Sequence, residues 1–195
     1  MSLSSLELER YERQMLISGL GIKGQRKLKA AKVVVVGMGG LGCLASLYLA
    51  AAGIGRIILV DKGKFKLNNL NRQILCSQKD LGRFKAEVAK EKLEAFNSEV
   101  EIEAVVDEVE EENAQGIIGK VNVVLDGLDN WKTRFIVNDY CVMWGIPFVH
   151  AGVSEIHGQM TTILPGKGPC LRCVFPKIPL EVEKVPVLGA TPAFF

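Results

Sequence analysis

Long apolar runs are missing from this chain. No stretch approaches the roughly 18 consecutive apolar residues of a membrane span, and the first residues are polar and acidic, unlike a secretory leader. A cytoplasmic protein with no membrane partner is therefore expected. A one-signed charge is missing too. The 24 Lys and Arg against 22 Asp and Glu leave a net charge of +2, and the basic residues are scattered, which argues against nucleic acid as a partner. Histidine is scarce: His150 and His157 are isolated and are expected to be structural rather than metal ligands or acid–base catalysts. Cysteine comes in the odd number of five, which argues against a disulfide framework. Cys43 and Cys141 stand in apolar helical stretches and read as small buried hydrophobes. Internal repeats, low-complexity tracts and interdomain linkers are also absent.

What remains is a chain of 195 residues, 48% apolar and 24% charged, suited to one α/β domain with a sizeable core. Residues 5–18, "SLELERYERQMLIS", carry Leu8, Tyr11 and Met15 at helical spacing and predict an amphipathic helix. A glycine-containing link, "GLGIKG", leads to a short helix, "QRKLKAA". "KVVVVG" is β-branched without alternation, the mark of a strand buried on both faces of a parallel sheet. "LGCLASLYLAAAG" predicts a helix capped at Gly53. "RIILVD" predicts a second buried strand, "LGRFKAEVAKEKLEAFN" a long helix with Phe84, Val88 and Phe96 near one face, and "EIEAVV" a third strand. "VNVVLDGLDN" predicts a fourth strand, "TRFIVNDYCVMWG" a helix and "PFVHAG" a fifth strand. "GQMTTILP" is a further strand for which the pattern leaves an antiparallel direction open. This alternation predicts a Rossmann-like, open, mostly parallel sheet with helices on both faces, preceded by N-terminal helices.

Between the first strand and its helix lies "GMGGLG", which fits G-x-G-x-x-G in the context the motif requires. Gly37 allows the tight turn, Gly39 lets phosphate approach the backbone, and Gly42 lets the helix pack closely. Helix N-terminal N–H groups, starting near Gly40, favour an anion there. Asp61 ends the next strand about twenty residues on, where an acid accepts hydrogen bonds from a ribose hydroxyl.

The glycine loop alone suits NAD. The residues after it suit a triphosphate better. "LNNLNRQ" supplies Asn69, Arg72 and Gln73, and Lys85 follows at the start of the long helix. Asp126 and Asp129, with Asn130, end the fourth strand on the same C-terminal edge of the sheet. Arg and Lys neutralise phosphate oxygens, Asn and Gln orient them, and an aspartate holds magnesium. Singly, each is a solvated loop residue or a cap; their shared place on one edge gives them weight.

Together "RYERQ", "GMGGLG", "AAGIGRIILVD", "NNLNRQ", "GRFK", "DGLDN" and "CLRC" run in one order from about Arg10 to Gly189. In this the chain resembles the ThiF, MoeB and HesA family of enzymes that adenylate ubiquitin-like proteins. The resemblance implies a single adenylation domain over residues 1–195 that transfers AMP from ATP to the C-terminal Gly-Gly carboxylate of a small β-grasp sulfur carrier or modifier. It implies that Gly37, Gly39, Gly40 and Gly42 cradle phosphates and that Asp61 binds the ribose. Asn69, Arg72, Gln73, Lys85 and Asn130 would surround the triphosphate, and Asp129 would hold both ATP and Mg2+. Arg13 matches an arginine that reaches the neighbouring subunit's ATP in a homodimer. Arg13, Arg72, Lys85 and Asp129 are thus the expected catalytic set.

Three departures follow. A second acid common in the family two residues after the ribose aspartate is here Gly63, which is expected to alter loop polarity without loss of ATP binding. The family's second C-x-x-C is missing, so Cys170 and Cys173 are expected to be half of a Zn2+ site, in a chain lacking the C-terminal part of its relatives; an unmetallated thiol pair is an equal alternative. "VPVLGATP" resembles the start of the family's crossover segment. "EVEKVP" (Glu181 to Pro186) holds no cysteine for a persulfide or thioester, and nothing marks Cys76 as a nucleophile. Two other readings stay open: an NAD- or FAD-dependent oxidoreductase, and a non-catalytic partner of an active adenylating subunit.

Overall fold

A computed structural model of the chain describes residues 2–177 and Pro186, and the valine run is at its centre. Strand β1 (Lys32–Val36) buries Val33 to Val36, each at most 3% exposed. Parallel neighbours flank it: β2 (Arg56–Val60), with Val33 opposite Ile57, and β4 (Val123–Asp126), with Val36 opposite Asp126. Beyond β2 lies β3 (Glu101–Val105); beyond β4 lie β5 (Phe148–Ser154) and β6 (His157–Ile163), giving the order β3-β2-β1-β4-β5-β6. β6 alone runs antiparallel, joined to β5 by a tight turn in which Glu155 takes a left-handed φ of 54°.

Alternate residues of the buried strands feed two cores. On one face Val33, Val35, Ile57 and Leu59 pack against α4 (Gly40–Ala52) and α5 (Lys85–Phe96) through Cys43, Ala50, Ala89 and Leu93. On the other, Val34, Val36, Ile58 and Val60 meet α6 (Ala114–Ile117) and α7 (Trp131–Trp144) through Ala114, Phe135 and Cys141. The Cys43 and Cys141 thiols are fully buried, and burial pushes each up to about 12. They act as small hydrophobes. The sheet therefore has helices on both faces, and strand order reverses at β1 and β4. Ligands of such sheets bind at the C-terminal ends of those two strands.

The N-terminus differs from the expected single helix. It forms α1 (Ser5–Arg10) and α2 (Glu12–Met15), broken at Tyr11, whose φ of −102° and ψ of 10° leave the helical register. Tyr11 is held inward: its hydroxyl accepts from Asn97 Nδ2 at 2.8 Å, and its ring lies over Gly53, where a Cβ would meet Tyr11 Cζ at 2.5 Å. The buried face carries Glu7 and Tyr11 rather than Leu8, which is exposed. Glu7 tolerates burial because Lys29 Nζ lies at 2.6 Å and the Ser4 N–H donates to it at 2.7 Å. The expected link joins the next helix, α3 (Gly21–Ala30).

Helix α5 starts at Lys85, later than its pattern predicts. Gly82 takes φ 82°, and residues 82–84 pair with Phe65 and Lys64 instead of helical neighbours. Phe96, expected near one face with Phe84 and Val88, is exposed while Val88 is buried. Cys170 caps a single helical turn, α8 (Leu171–Val174). The stretch 181–185 and the crossover residues 187–192 lie outside the described residues. Among the described residues, no helix is long and apolar enough to cross a membrane.

Candidate functional site

Three glycines close the switch point. Gly37 has φ 92°, and a Cβ there would meet the Gly127 carbonyl oxygen at 2.7 Å. A Cβ on Gly42 would overlap the Gly37 carbonyl, and one on Gly127 would sit 2.6 Å from the same oxygen. Gly39 is different. It is the N-cap of α4, at φ −81°, and a Cβ there would touch only Gly127 O at 3.7 Å. The chain's own packing leaves room at Gly39, beside the free N–H groups that begin with Gly40. Gly127 was not singled out by sequence reasoning; "DGLDN" held it, but its fit against Gly37 is a tertiary fact.

Asp61, at the end of β2, is fixed by backbone donors. Its Oδ2 accepts from Met38 N at 2.7 Å and its Oδ1 from Gly63 N at 2.6 Å. A Cβ at position 63 would crowd Asp61 Oδ1 at 2.9 Å and lie 3.6 Å from Lys85 Cε. Glycine at 63 therefore lets Asp61 grip the turn, and it leaves space between that acid and Lys85. The Lys85 N–H donates to the Gly63 carbonyl at 2.9 Å, which brings the start of α5 to the same edge.

The "LNNLNRQ" loop folds around a single turn of tight helix, Leu67–Asn69. The buried Asn69 accepts from Lys66 N at 2.9 Å, so its side chain shapes the loop. Arg72 donates to the Asn68 carbonyl and to Asn71 Oδ1, both at 3.0 Å. Gln73 is 3% exposed, yet its Oε1 has no partner. Among the described residues, neither Arg72 nor Lys85 pairs with a carboxylate.

At the end of β4 the two aspartates part ways. Asp126 is buried: its Oδ1 accepts from Leu128 N at 2.9 Å, and its Oδ2 lies 2.6 Å from His150 Nδ1 and 2.7 Å from Arg134 Nε. That Arg134 N–H is not aimed as a hydrogen bond, so the contact is an ion pair. Because a carboxylate only accepts, His150 Nδ1 carries the proton, and Nε2 faces the Gln159 amide at 3.3 Å. His150 is therefore not isolated. Asp129 is exposed and has no hydrogen bond or ion pair among the described residues. Asn130 caps α7, accepting from Thr133 N at 2.8 Å. Arg134 was missed in the sequence; the available signal was an arginine directly before the apolar stretch Phe135 to Val137 of α7.

These residues fit a magnesium-bound triphosphate. The donor set offers free cations, one free carboxylate, open helix N–H groups and an orphaned amide oxygen. Magnesium needs no cage of protein ligands, since one carboxylate, phosphate oxygens and water complete its octahedron.

Arg13 lies elsewhere. Its neighbours Tyr11 and Gln14 are anchored at the C-terminal end of α4, Gln14 donating to the Ala52 carbonyl at 2.9 Å. The 13 residues of α4 separate that end from Gly39 by about 20 Å. An arginine side chain does not span this, so Arg13 is outside its own chain's site. Cys170 Sγ and Cys173 Sγ are 3.8 Å apart. Burial pushes the Cys170 thiol up, but hydrogen bonds from the backbone of Cys173 and Arg172 and from the side chains of Cys173 and Asn138 together hold it below its ordinary value. Among the described residues no group of three or more His, Cys, Asp or Glu could hold a metal. The pair supplies two of the four ligands zinc requires, so the zinc expectation finds no support there.

Comparison with known proteins gives the family. The ThiF family model matches residues 11–194. The chain belongs to the ThiF family. It is 45% identical over 179 residues to the vegetative HesA protein of Trichormus variabilis, covering 92% of this chain and 68% of that one. It is 43% identical over 178 residues to the sulfur carrier protein adenylyltransferase of Thermus thermophilus, covering 89% of this chain and 66% of that one. Among solved structures, E. coli MccB with ATP superimposes with a TM-score of 0.77 at 30% identity. That match covers 88% of this chain and 54% of MccB. The chain thus spans about half of the MccB chain.

Proposed function

We propose that this chain forms the nucleotide-binding unit of an ATP-dependent adenylyltransferase. Its substrate is the C-terminal Gly-Gly carboxylate of a small ubiquitin-like sulfur carrier or modifier. The observation that supports this reading is that Arg72, Lys85 and Asp129, which follow the C-terminal ends of β2 and β4, have no ion-pair partners among the described residues. A dinucleotide, with two phosphates and no magnesium, gives such a set less to do. The names of the ThiF-family relatives, and the ATP in the MccB title, support the same reading.

In the proposed reaction a carboxylate oxygen attacks the α-phosphorus of ATP, the bond to pyrophosphate breaks, and an acyl-adenylate forms. The carboxylate, a poor acyl donor, thereby gains AMP as a leaving group. Asp61, held rigid by Met38 N and Gly63 N, receives the ribose hydroxyls. Gly39 and the first N–H groups of α4 hold phosphate oxygens, and Arg72 and Lys85 neutralise charge as pyrophosphate departs. Asp129 would hold magnesium, which when bound supplies further neutralisation of phosphate charge. The family resemblance puts Arg13 at a neighbouring subunit's ATP, and the end of α4 beside which it sits is about 20 Å from Gly39 of its own chain; in this reading Arg13 acts from a second copy, in a homodimer.

Calorimetric titration of the full chain with ATP and Mg2+, and separately with NAD, tests the nucleotide class. Saturable ATP binding with weak or no NAD binding is expected. Tight NAD binding without a response to ATP would turn the reading to an oxidoreductase.

A further inference from the structure

The geometry points to Arg134, with Asp126 and His150, as the device that positions the Asp129 carboxylate; this rests on the reading of Asp129 as the magnesium-binding acid. Asp129 has no side-chain partner among the described residues, so what the fold fixes is its backbone, and with it the point and direction from which the carboxylate departs. The preceding residue, Leu128, is gripped from both ends. Its N–H donates to Asp126 Oδ1 at 2.9 Å, and its carbonyl, part of the peptide that leads into Asp129, accepts from Arg134 Nη2. The same guanidinium nitrogen donates to the Ala151 carbonyl at 3.1 Å, tying the loop to β5.

The holding group is itself held. Arg134 Cζ lies 4.9 Å from the Trp131 ring centre, and His150 Nδ1 donates to Asp126 Oδ2, fixing the carboxylate that faces the guanidinium. Arg134, Asp126 and His150 are 5%, 3% and 1% exposed, so they act on Asp129 through Leu128. Burying such an ion pair is weak evidence for stability, because desolvation offsets most of the attraction. What the cluster does supply is one fixed orientation of the Leu128–Asp129 peptide.

The test uses the full chain and reads nucleotide binding rather than turnover. ATP affinity is measured by calorimetry in EDTA and again with saturating Mg2+, alongside the thermal midpoint. Arg134→Lys keeps the charge, but a single ammonium does not span Asp126, Leu128 and Ala151 together. It is expected to lose about tenfold of the Mg2+-dependent gain in affinity, while metal-free affinity stays within about twofold. His150→Asn retains a donor near the Nδ1 position and should preserve the gain; His150→Leu should lose it. Equal losses with and without Mg2+ in Arg134→Lys would mean a merely structural role and overturn the inference. So would identical behaviour of the two His150 variants, which decide the matter if Arg134→Lys does not fold. Asp129→Asn separates the two levels. If it abolishes the Mg2+ gain while Arg134→Lys retains it, positioning alone is wrong; if it retains the gain, the magnesium reading fails and this inference falls with it.

Discussion

Gly39→Ala and Gly42→Ala place one methyl group three residues apart and are expected to do opposite things. At Gly42 the new Cβ overlaps the Gly37 carbonyl, a backbone atom that moves only if the loop moves. Overpacking of this kind costs up to about 3 kcal/mol, and the better helix propensity of alanine returns about 1. A net loss of about 2 kcal/mol lowers the thermal midpoint by about 4–8 °C for a chain of this size. At Gly39 the Cβ meets only Gly127 O at 3.7 Å, and φ is −81°. Alanine is a poorer N-cap than glycine by about 0.5–1 kcal/mol, so the midpoint falls by only about 1–4 °C. Yet the methyl occupies the space left for phosphate. Losing one hydrogen bond to a charged oxygen, about 1.5–3 kcal/mol, weakens ATP binding about 10- to 150-fold. Differential scanning fluorimetry and calorimetric titration measure the two effects. Wild-type ATP affinity in Gly39→Ala, or a stability loss equal to that of Gly42→Ala, would refute the assignment of the Gly39 space to phosphate.

Three further outcomes are expected. Arg13→Ala and Asp129→Ala should each be inactive alone, yet coexpression should restore partial activity in mixed dimers; no recovery at any ratio would mean that Arg13 does not act across a dimer. Hydrogen bonds from Ser77 hold Asp80 from its ordinary 3.8 down to about 2. Because that folded value is depressed, its stabilisation is complete above pH about 4 and is lost as pH falls toward about 2; in urea melts Asp80→Asn should be less stable than wild type at pH 7 and should converge with it at the acid end. Asp61→Asn keeps one carbonyl acceptor where two backbone N–H groups converge, so ATP affinity should fall by about tenfold or more, and unchanged affinity in the same titration would remove Asp61 from the ribose site.

The mostly parallel, two-sided sheet was legible because β1 and β2, after their first residues, consist of β-branched and aliphatic residues without alternation, the mark of two-sided burial. The glycine loop was legible from its spacing between a buried strand and a helix, although the contact that demands glycine at Gly37 comes from Gly127 and nothing in the chain's own packing demands it at Gly39. The N-terminal helix was misread because a hydrophobic count gives no credit to Glu7, whose burial depends on Lys29 from another helix. Gly127 and Arg134 escaped because their roles arise where the ends of β1, β4 and β5 meet. Asn69 and Asn130 were expected to face the triphosphate, but their side chains are engaged in shaping the loop and capping α7. Arg13 needed the family pattern; its position at the far end of α4 then supplies the physical reason for seeking its target in a second copy.

The central claim is adenylyl transfer to a Gly-Gly carboxylate, and ATP–pyrophosphate exchange measures it most directly. Labelled pyrophosphate should enter ATP only when this protein, Mg2+ and a small β-grasp protein ending in Gly-Gly are all present. Removing the two terminal glycines, or introducing Asp129→Ala, should reduce exchange to background. Exchange that is independent of the Gly-Gly tail, or that persists in Asp129→Ala, would contradict the account.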